Sequence, residues 1–542
     1  MDYPWILAGC FKPVRGVSVI ARGGLLVPSV TLTSVQEIPY VRQPSSTPLY
    51  GHAQCACLKI MTPHPLIIQG GMGVAVSNWK LARAVSSQGQ LGVVSGTGID
   101  AVLVRRLQLG DEDGLVRRAL EAFPIPGVAE RILDRYLIEG GKASNIRFKP
   151  SPMSKLKPSR WLQDLLVVAN FVEVWLAKQG HKAPVGINYL EKIQVPTLPS
   201  LYGAMLAGVD YVFMGAGIPR AIPGILDRLA EHRSVEMKID LKSDKPGENA
   251  SVEFDPVKYG RGVLPPVVRP IFIAIVSSHV LATMLARRSE SKVGGFVVEG
   301  PSAGGHNAPP RAKAGLSDQG EPIYGEKDIP DLEAFRELGL PFWLAGSYAH
   351  SEKLQEALDL GAAGVQVGTA FAYCEESGLE RDVKERVLKE SRRGRLRVFT
   401  NPIGSPTGFP FKQVELAETL TDESVYRDRI RVCDLGYLRT AYADEDGKKG
   451  WRCPAEPVDD YVRKGGDIED TVGRNCLCNA LMSNVGLGQT KVDGSTEPLL
   501  ITSGDEAAQV AHFLPDGAST YWAKDVIDEL LNGTATSWEP AD

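Results

Sequence analysis

The chain has 542 residues, 43% hydrophobic and 23% charged, which excludes a wholly disordered or collagen-like polymer and points to several folding units or one large barrel with additions. Its net charge of −5, with no block of five or more Lys or Arg, offers no field for a phosphate backbone, so nucleic acid is not an expected partner. The longest apolar stretch, Val267 to Leu285, is broken by Arg269, His279 and two serines, so no membrane span is expected either.

Residues 1–60 show no sustained period and are punctuated by Pro39, Pro44 and Pro48, which reads as an N-terminal extension. Within it, Leu7-Ala8-Gly9-Cys10 looks like a lipidation box, but Asp2, Pro4 and the lack of an upstream Lys or Arg argue against a secretory leader. The eight cysteines are too sparse for a disulfide scaffold and favour a reducing, cytoplasmic setting.

From Met61, itself an alternative start, short β-branched runs alternate with amphipathic stretches. The runs are Leu66–Gln69, Gly92–Ser95, Val185–Asn188, Tyr211–Met214, Ile271–Ser277, Gly295–Glu299, Phe342–Ala345 and Val365–Gly368. Each is followed by a Gly, Ser or Asn cluster and then by helical material. Eight such units predict an α/β fold, a (β/α)8 TIM barrel over 61–375, with its active face at the C-terminal rim of the strands. Two connections, 101–183 and 227–270, are longer than simple crossovers and read as lids or as decoration. Residues 376–542 are expected to form an α-rich C-terminal extension packed on the barrel.

The chemistry-bearing motifs fall at strand ends. Gln69-Gly70-Gly71-Met72-Gly73 removes side chains where a flat ring could lie against backbone, with the Met72 thioether available to pack on it. Its spacing matches neither the dinucleotide fingerprint nor the P-loop. Glu299 through Asn307 presents His306 on a mobile, small-residue loop over the barrel mouth, and a neutral imidazole there is the best candidate base. Ala345-Gly346-Ser347 and Val367-Gly368-Thr369 both end in glycine plus hydroxyl after the last two strands, a place where barrels hold phosphate groups.

Taken with Gly186-Ile187-Asn188, these motifs resemble the FMN-dependent nitronate monooxygenase family over Pro65 to Tyr373. The resemblance implies FMN as cofactor, Gly71 and Met72 against the isoalloxazine, Asn188 near the flavin, and Glu299 and Gly304 beside the ring and ribityl chain. It further implies that Gly346, Ser347, Gly368 and Thr369 hold the phosphate and that His306 is the catalytic histidine. Gly71 departs from the proline of many relatives, and Glu299 from the aspartate of some. The implied activity is oxidation of alkyl nitronates or nitroalkanes with O2, in which His306 removes an α-proton or orients the nitronate. The partners are then a small-molecule substrate and O2, with a homo-oligomer left open. FMN-dependent enoyl-ACP reductases, which use NAD(P)H, share the scaffold and form the alternative. A non-catalytic phosphate-ligand-binding barrel is the alternative of another class.

Cys433, Cys453, Cys476 and Cys478 are enough thiols for a zinc or iron–sulfur site. Their C-x-C spacing and the tendency of free cysteine to be buried favour no metal.

Overall fold

The computed structural model describes residues 60–243, 249–312, 315–532 and 536–538. The extension expected over 1–60, with the Leu7–Cys10 box, Cys55 and Cys57, lies outside the described residues except for its last position.

Eight parallel strands form the barrel: β1 Ile67–Gln69, β2 Gly92–Ser95, β3 Val185–Leu190, β4 Tyr211–Gly215, β5 Ile271–Val276, β6 Gly295–Glu299, β7 Phe342–Ala345 and β8 Gly364–Val367. Their order around the sheet is β1-β8-β7-β6-β5-β4-β3-β2, each pair parallel. The ring closes between β1 and β2 through one parallel bridge, Ile68 with Leu91. Two side-chain amides reinforce this seam: Gln90 Oε1 accepts from Ile67 N at 2.9 Å, and Gln69 Oε1 accepts from Val93 N at 3.1 Å.

Alternation along the strands divides the core into two. Ile68, Val93, Phe213, Ile273, Val297 and Trp343 fill the barrel interior, and Trp343 Nε1 donates to Pro65 O at 2.8 Å. Their neighbours Ile67, Val94, Val212, Phe272, Phe296 and Leu344 face the surrounding helices and belong to the outer core. Each such buried side chain contributes roughly 1.5–3 kcal/mol.

Local signals start the helices. Asn78 caps α1, Trp79–Ser87, by accepting from Leu81 N, and Ser159 caps α2, Arg160–Ala177, by accepting from Leu162 N. Almost every residue of α2 is buried, because it lies between α1 and α3, Thr197–Leu206. A Cβ at Gly203 would meet Val167 O at 2.1 Å, so the α2–α3 backbones touch because position 203 carries no side chain. The stretch 101–183, read above as a lid or decoration, therefore supplies the crossover helix between β2 and β3. The 227–270 stretch forms an antiparallel pair, Val235–Ile239 with Ala250–Phe254, and its Leu241–Lys242 strand pairs with Thr440–Ala443 of the C-terminal extension.

That extension contains helices such as Arg381–Arg392 and Ala523–Leu531, together with two antiparallel strand pairs, Arg397–Asn401 with Phe411–Glu415 and Thr440–Ala443 with Lys449–Arg452. Among the described residues no helix is long and apolar enough to cross a membrane.

Candidate active site

A cavity of about 230 Å³ opens at the C-terminal ends of the barrel strands. Gly71, Met72, Asn188, Glu299, Gly304, His306, Gly346, Ser347, Gly368 and Thr369, singled out above from separate strand ends, all line it.

Ser77 shapes the first wall. Its hydroxyl accepts from Met72 N at 2.9 Å and donates to Gly70 O at 2.8 Å, which fixes the turn after β1. Asn188, on β3, donates from Nδ2 to Gly71 O at 2.9 Å. A Cβ on Gly71 would lie 2.3 Å from the Asn188 Cβ, so the glycine makes room for the asparagine as well as for a ligand. Asn188 Oδ1 is buried and accepts nothing from the described residues. An orphaned acceptor in a cavity wall calls for a donor on a ligand or a water.

The wall after β7 has the character of an anion cradle. Gly346 and Ser347 both take positive φ, +99° and +58°. Among the described residues, the N–H groups of Gly346, Ser347 and Tyr348 donate to no protein acceptor. Successive free N–H groups in such a turn attract negative charge. The next N–H, of Ala349, is taken by Glu506 Oε1 at 2.7 Å. Burial holds the Glu506 carboxyl above its ordinary range, against the pull of the Ala349 N–H and of His350. Across the cradle, Thr369 Oγ1 accepts from Gly504 N at 3.0 Å and keeps its own proton free to donate.

His306 is not on a mobile loop. It bridges to Phe411 in antiparallel fashion, Lys412 N donates to Gly305 O at 2.9 Å, and Asn307 N donates to Pro410 O at 3.0 Å. Its Nε2 is 2.6 Å from Ser405 Oγ, and its ring meets that of Phe411 edge-on at 4.9 Å. Nδ1 has no hydrogen bond to the protein among the described residues. Burial, helped by the nearby Lys192 ammonium, lowers the imidazole pKa to about 3. Glu299, at the end of β6, has no hydrogen-bond partner for its carboxyl among the described residues, and burial raises it to about 7.

The C-terminal extension supplies wall residues that strand-end reading passes over: Ser405 behind His306, Phe411, and Thr502 to Gly504 with Glu506. The visible signals were the small and hydroxyl runs Gly404-Ser405-Pro406-Thr407-Gly408 and Thr502-Ser503-Gly504.

Cys433, Cys453, Cys476 and Cys478 converge elsewhere, on a cavity of about 10 Å³ that Glu456 also lines. Burial pushes all four thiols up, Cys433 to about 12. Among the described residues no group of three or more His, Cys, Asp or Glu is placed to hold a metal ion.

Residues 225–407 match the model of a family described as nitronate monooxygenase. A probable nitronate monooxygenase of Bacillus subtilis (strain 168) is 34% identical over 93 residues, 17% of this chain and 25% of that protein. A probable nitronate monooxygenase of Staphylococcus haemolyticus (strain JCSC1435) is 36% identical over the same length and shares. The matched segment thus spans about a quarter of the length of these curated relatives. Among solved structures, FabK from Thermotoga maritima aligns with a TM-score of 0.42 at 17% identity, over 87% of this chain and 92% of that one. Nitroalkane oxidase from Streptomyces ansochromogenes aligns with a TM-score of 0.41 at 15% identity, over 88% and 96%.

Proposed function

We propose that the chain, whose residues 225–407 match the nitronate monooxygenase family model, is an FMN-dependent oxidoreductase that oxidises alkyl nitronates with O2. The observation that carries the reading is the convergence, in one cavity at the strand ends, of a histidine with a free Nδ1, an unsatisfied amide oxygen and a row of free N–H groups.

The residues present suit the cofactor. Gly71, Met72, Asn188, Glu299 and Gly304 would border its ring and ribityl chain, the Asn188 Oδ1 receiving a donor it otherwise lacks. Gly346, Ser347, Gly368 and Thr369 would hold the phosphate, with Glu506 beside them. The chemistry supplied by FMN when bound is electron uptake from the substrate, with O2 as the final oxidant.

The chain's own residues orient and discriminate. A histidine held near pKa 3 stays neutral throughout the physiological range and is a weak base for a carbon acid. It is suited instead to donating a hydrogen bond. In the tautomer in which the Ser405 hydroxyl donates to Nε2, the ring proton is on Nδ1, where it can hold a nitronate oxygen. The electrostatics therefore favour the nitronate anion over the neutral nitroalkane.

The test is oxygen uptake by the purified, flavin-loaded protein with propionate-3-nitronate, compared with neutral nitroalkanes. Turnover of the nitronate is expected to exceed that of the nitroalkane, with the protein yellow as isolated or after reconstitution. A colourless protein that does not take up FMN overturns the reading. NADPH oxidation with a crotonyl thioester and no oxygen uptake on nitronate would replace it by the reductase.

A further inference from the structure

Beside the cavity at the barrel mouth lies a second chamber of about 640 Å³. The two adjoin, since Ile193, Ala216, Tyr437 and Leu438 line both. In the outer chamber Lys192 is faced by Glu191 and Asp240, and Ile218, Leu241 and Trp451 supply apolar wall. An alkyl chain that entered it would gain roughly fourfold in affinity per buried methylene. What stands between the two spaces therefore decides how long a ligand of the inner cavity can be.

Of the four shared residues, Tyr437 is the one that is latched. Its hydroxyl donates to Asp100 Oδ1 at 2.6 Å. Asp100 is buried in the first turn of the helix Ile99–Gln108, and among the described residues Tyr437 is its one side-chain donor. Swinging the ring aside would strand a buried carboxylate, which is costly. The ring also rests on Gly98, where a Cβ would lie 3.3 Å from Tyr437 Cε2, and it packs against the cluster of Leu435, Met482 and Leu487. The backbone before it is pinned as well: Arg439 donates to Gly436 O at 3.1 Å and to Ser154 O at 2.9 Å. Leu438 packs against the cluster that holds Phe411 and Leu477.

We propose that Tyr437, latched by Asp100, is the partition between the two spaces and sets the upper limit on substrate length, with short alkyl chains accepted and long ones stopped at its ring. This deepens the nitronate reading and rests on it only for the identity of the reacting head group. Tyr437 acts by the volume it fills, as a specificity-determining residue, and takes no part in the chemistry. The outer chamber is then space that the substrate tail reaches only when the partition is removed.

Butyrate and octanoate test this without turnover, because a carboxylate presents the same planar pair of anionic oxygens as a nitronate and is not oxidised. Dissociation constants are read from the perturbation of the flavin absorption spectrum in the flavin-loaded protein, which reports a head group in the inner cavity and not a chain lodged in the outer chamber alone. Wild type is expected to bind octanoate no more tightly than butyrate. In Tyr437→Ala octanoate should become tighter than butyrate by about tenfold or more, against a ceiling of roughly 200-fold for four buried methylenes. Leu438→Ala, which leaves the hydrogen bond to Asp100 in place, should move the ratio in the same direction. Octanoate already about tenfold tighter than butyrate in wild type, or a ratio that neither variant moves, overturns the proposal. The expected ratios in a protein that turns over no nitronate would leave the partition standing and remove the nitronate reading alone.

Discussion

Ser405 places its hydroxyl 2.6 Å from the Nε2 of His306, although the two residues are 99 positions apart in the chain. The same hydroxyl lies 2.8 Å from Thr407 Oγ1 and accepts from Thr407 N at 3.2 Å, so it is held on both sides. Ser405→Ala should free the imidazole to rotate and to change tautomer. The expected result is a loss of about tenfold in kcat/KM for nitronate, about 1.4 kcal/mol, with flavin content unchanged and partial rescue by Ser405→Thr. Oxygen-uptake kinetics measure it.

The pH dependence should show little of His306. With its pKa near 3, the imidazole gives no inflection between pH 5 and 8, whereas an ordinary histidine would titrate in that window. An acidic limb centred near 6.5 in the kcat/KM profile that vanishes in His306→Gln would contradict this assignment.

Glu299 sets a different pH signature, in stability. Its folded pKa of about 7 lies above the ordinary 4.5, so its neutral form is the one the fold accommodates. That contribution is complete below the unfolded value and is lost as pH rises through 7. Glu299→Gln should therefore gain on wild type in thermal unfolding between pH 6 and 8.5, by on the order of 2 kcal/mol at the alkaline end. Parallel melting curves across that range would expose the error.

Glu497 is fully buried between Arg429, at 3.4 Å, and Lys491, at 2.9 Å, both themselves almost wholly buried. Removing the carboxylate leaves two uncompensated cations in the extension. Glu497→Ala is expected to cost roughly 3–5 kcal/mol in urea unfolding. A change below about 1 kcal/mol would mean that water reaches the cluster.

Gly71→Ala puts a methyl group into the Asn188 side chain and displaces it from the cavity wall. Flavin retention on dilution should fall about tenfold, while overpacking costs roughly 1–3 kcal/mol of stability. Flavin fluorescence release and thermal unfolding report the two effects separately.

Strand-end chemistry was readable from the sequence because the barrel strands are short β-branched runs, and those that serve the site carry glycine or polar residues at or just past their C-terminal ends. Gly346, Thr369 and Asn188 are in that class, and the fold needs only the βα repeat to gather them. Ser405, Gly504 and Glu506 are not. Their approach depends on the strand Phe411–Glu415 docking beside Gly305–Asn307, a pairing between distant loops that leaves no periodic trace. The depressed basicity of His306 was hidden for the same reason: it comes from burial under the extension and from Lys192, not from its own motif.

The closure between β1 and β2 has a mechanical corollary. Elsewhere round the ring neighbouring strands share at least three residue pairs, but here one bridge and two glutamine amides bear the circumference. Fewest ladder bonds cross this line, so within the barrel, amide exchange is expected to be fastest along it.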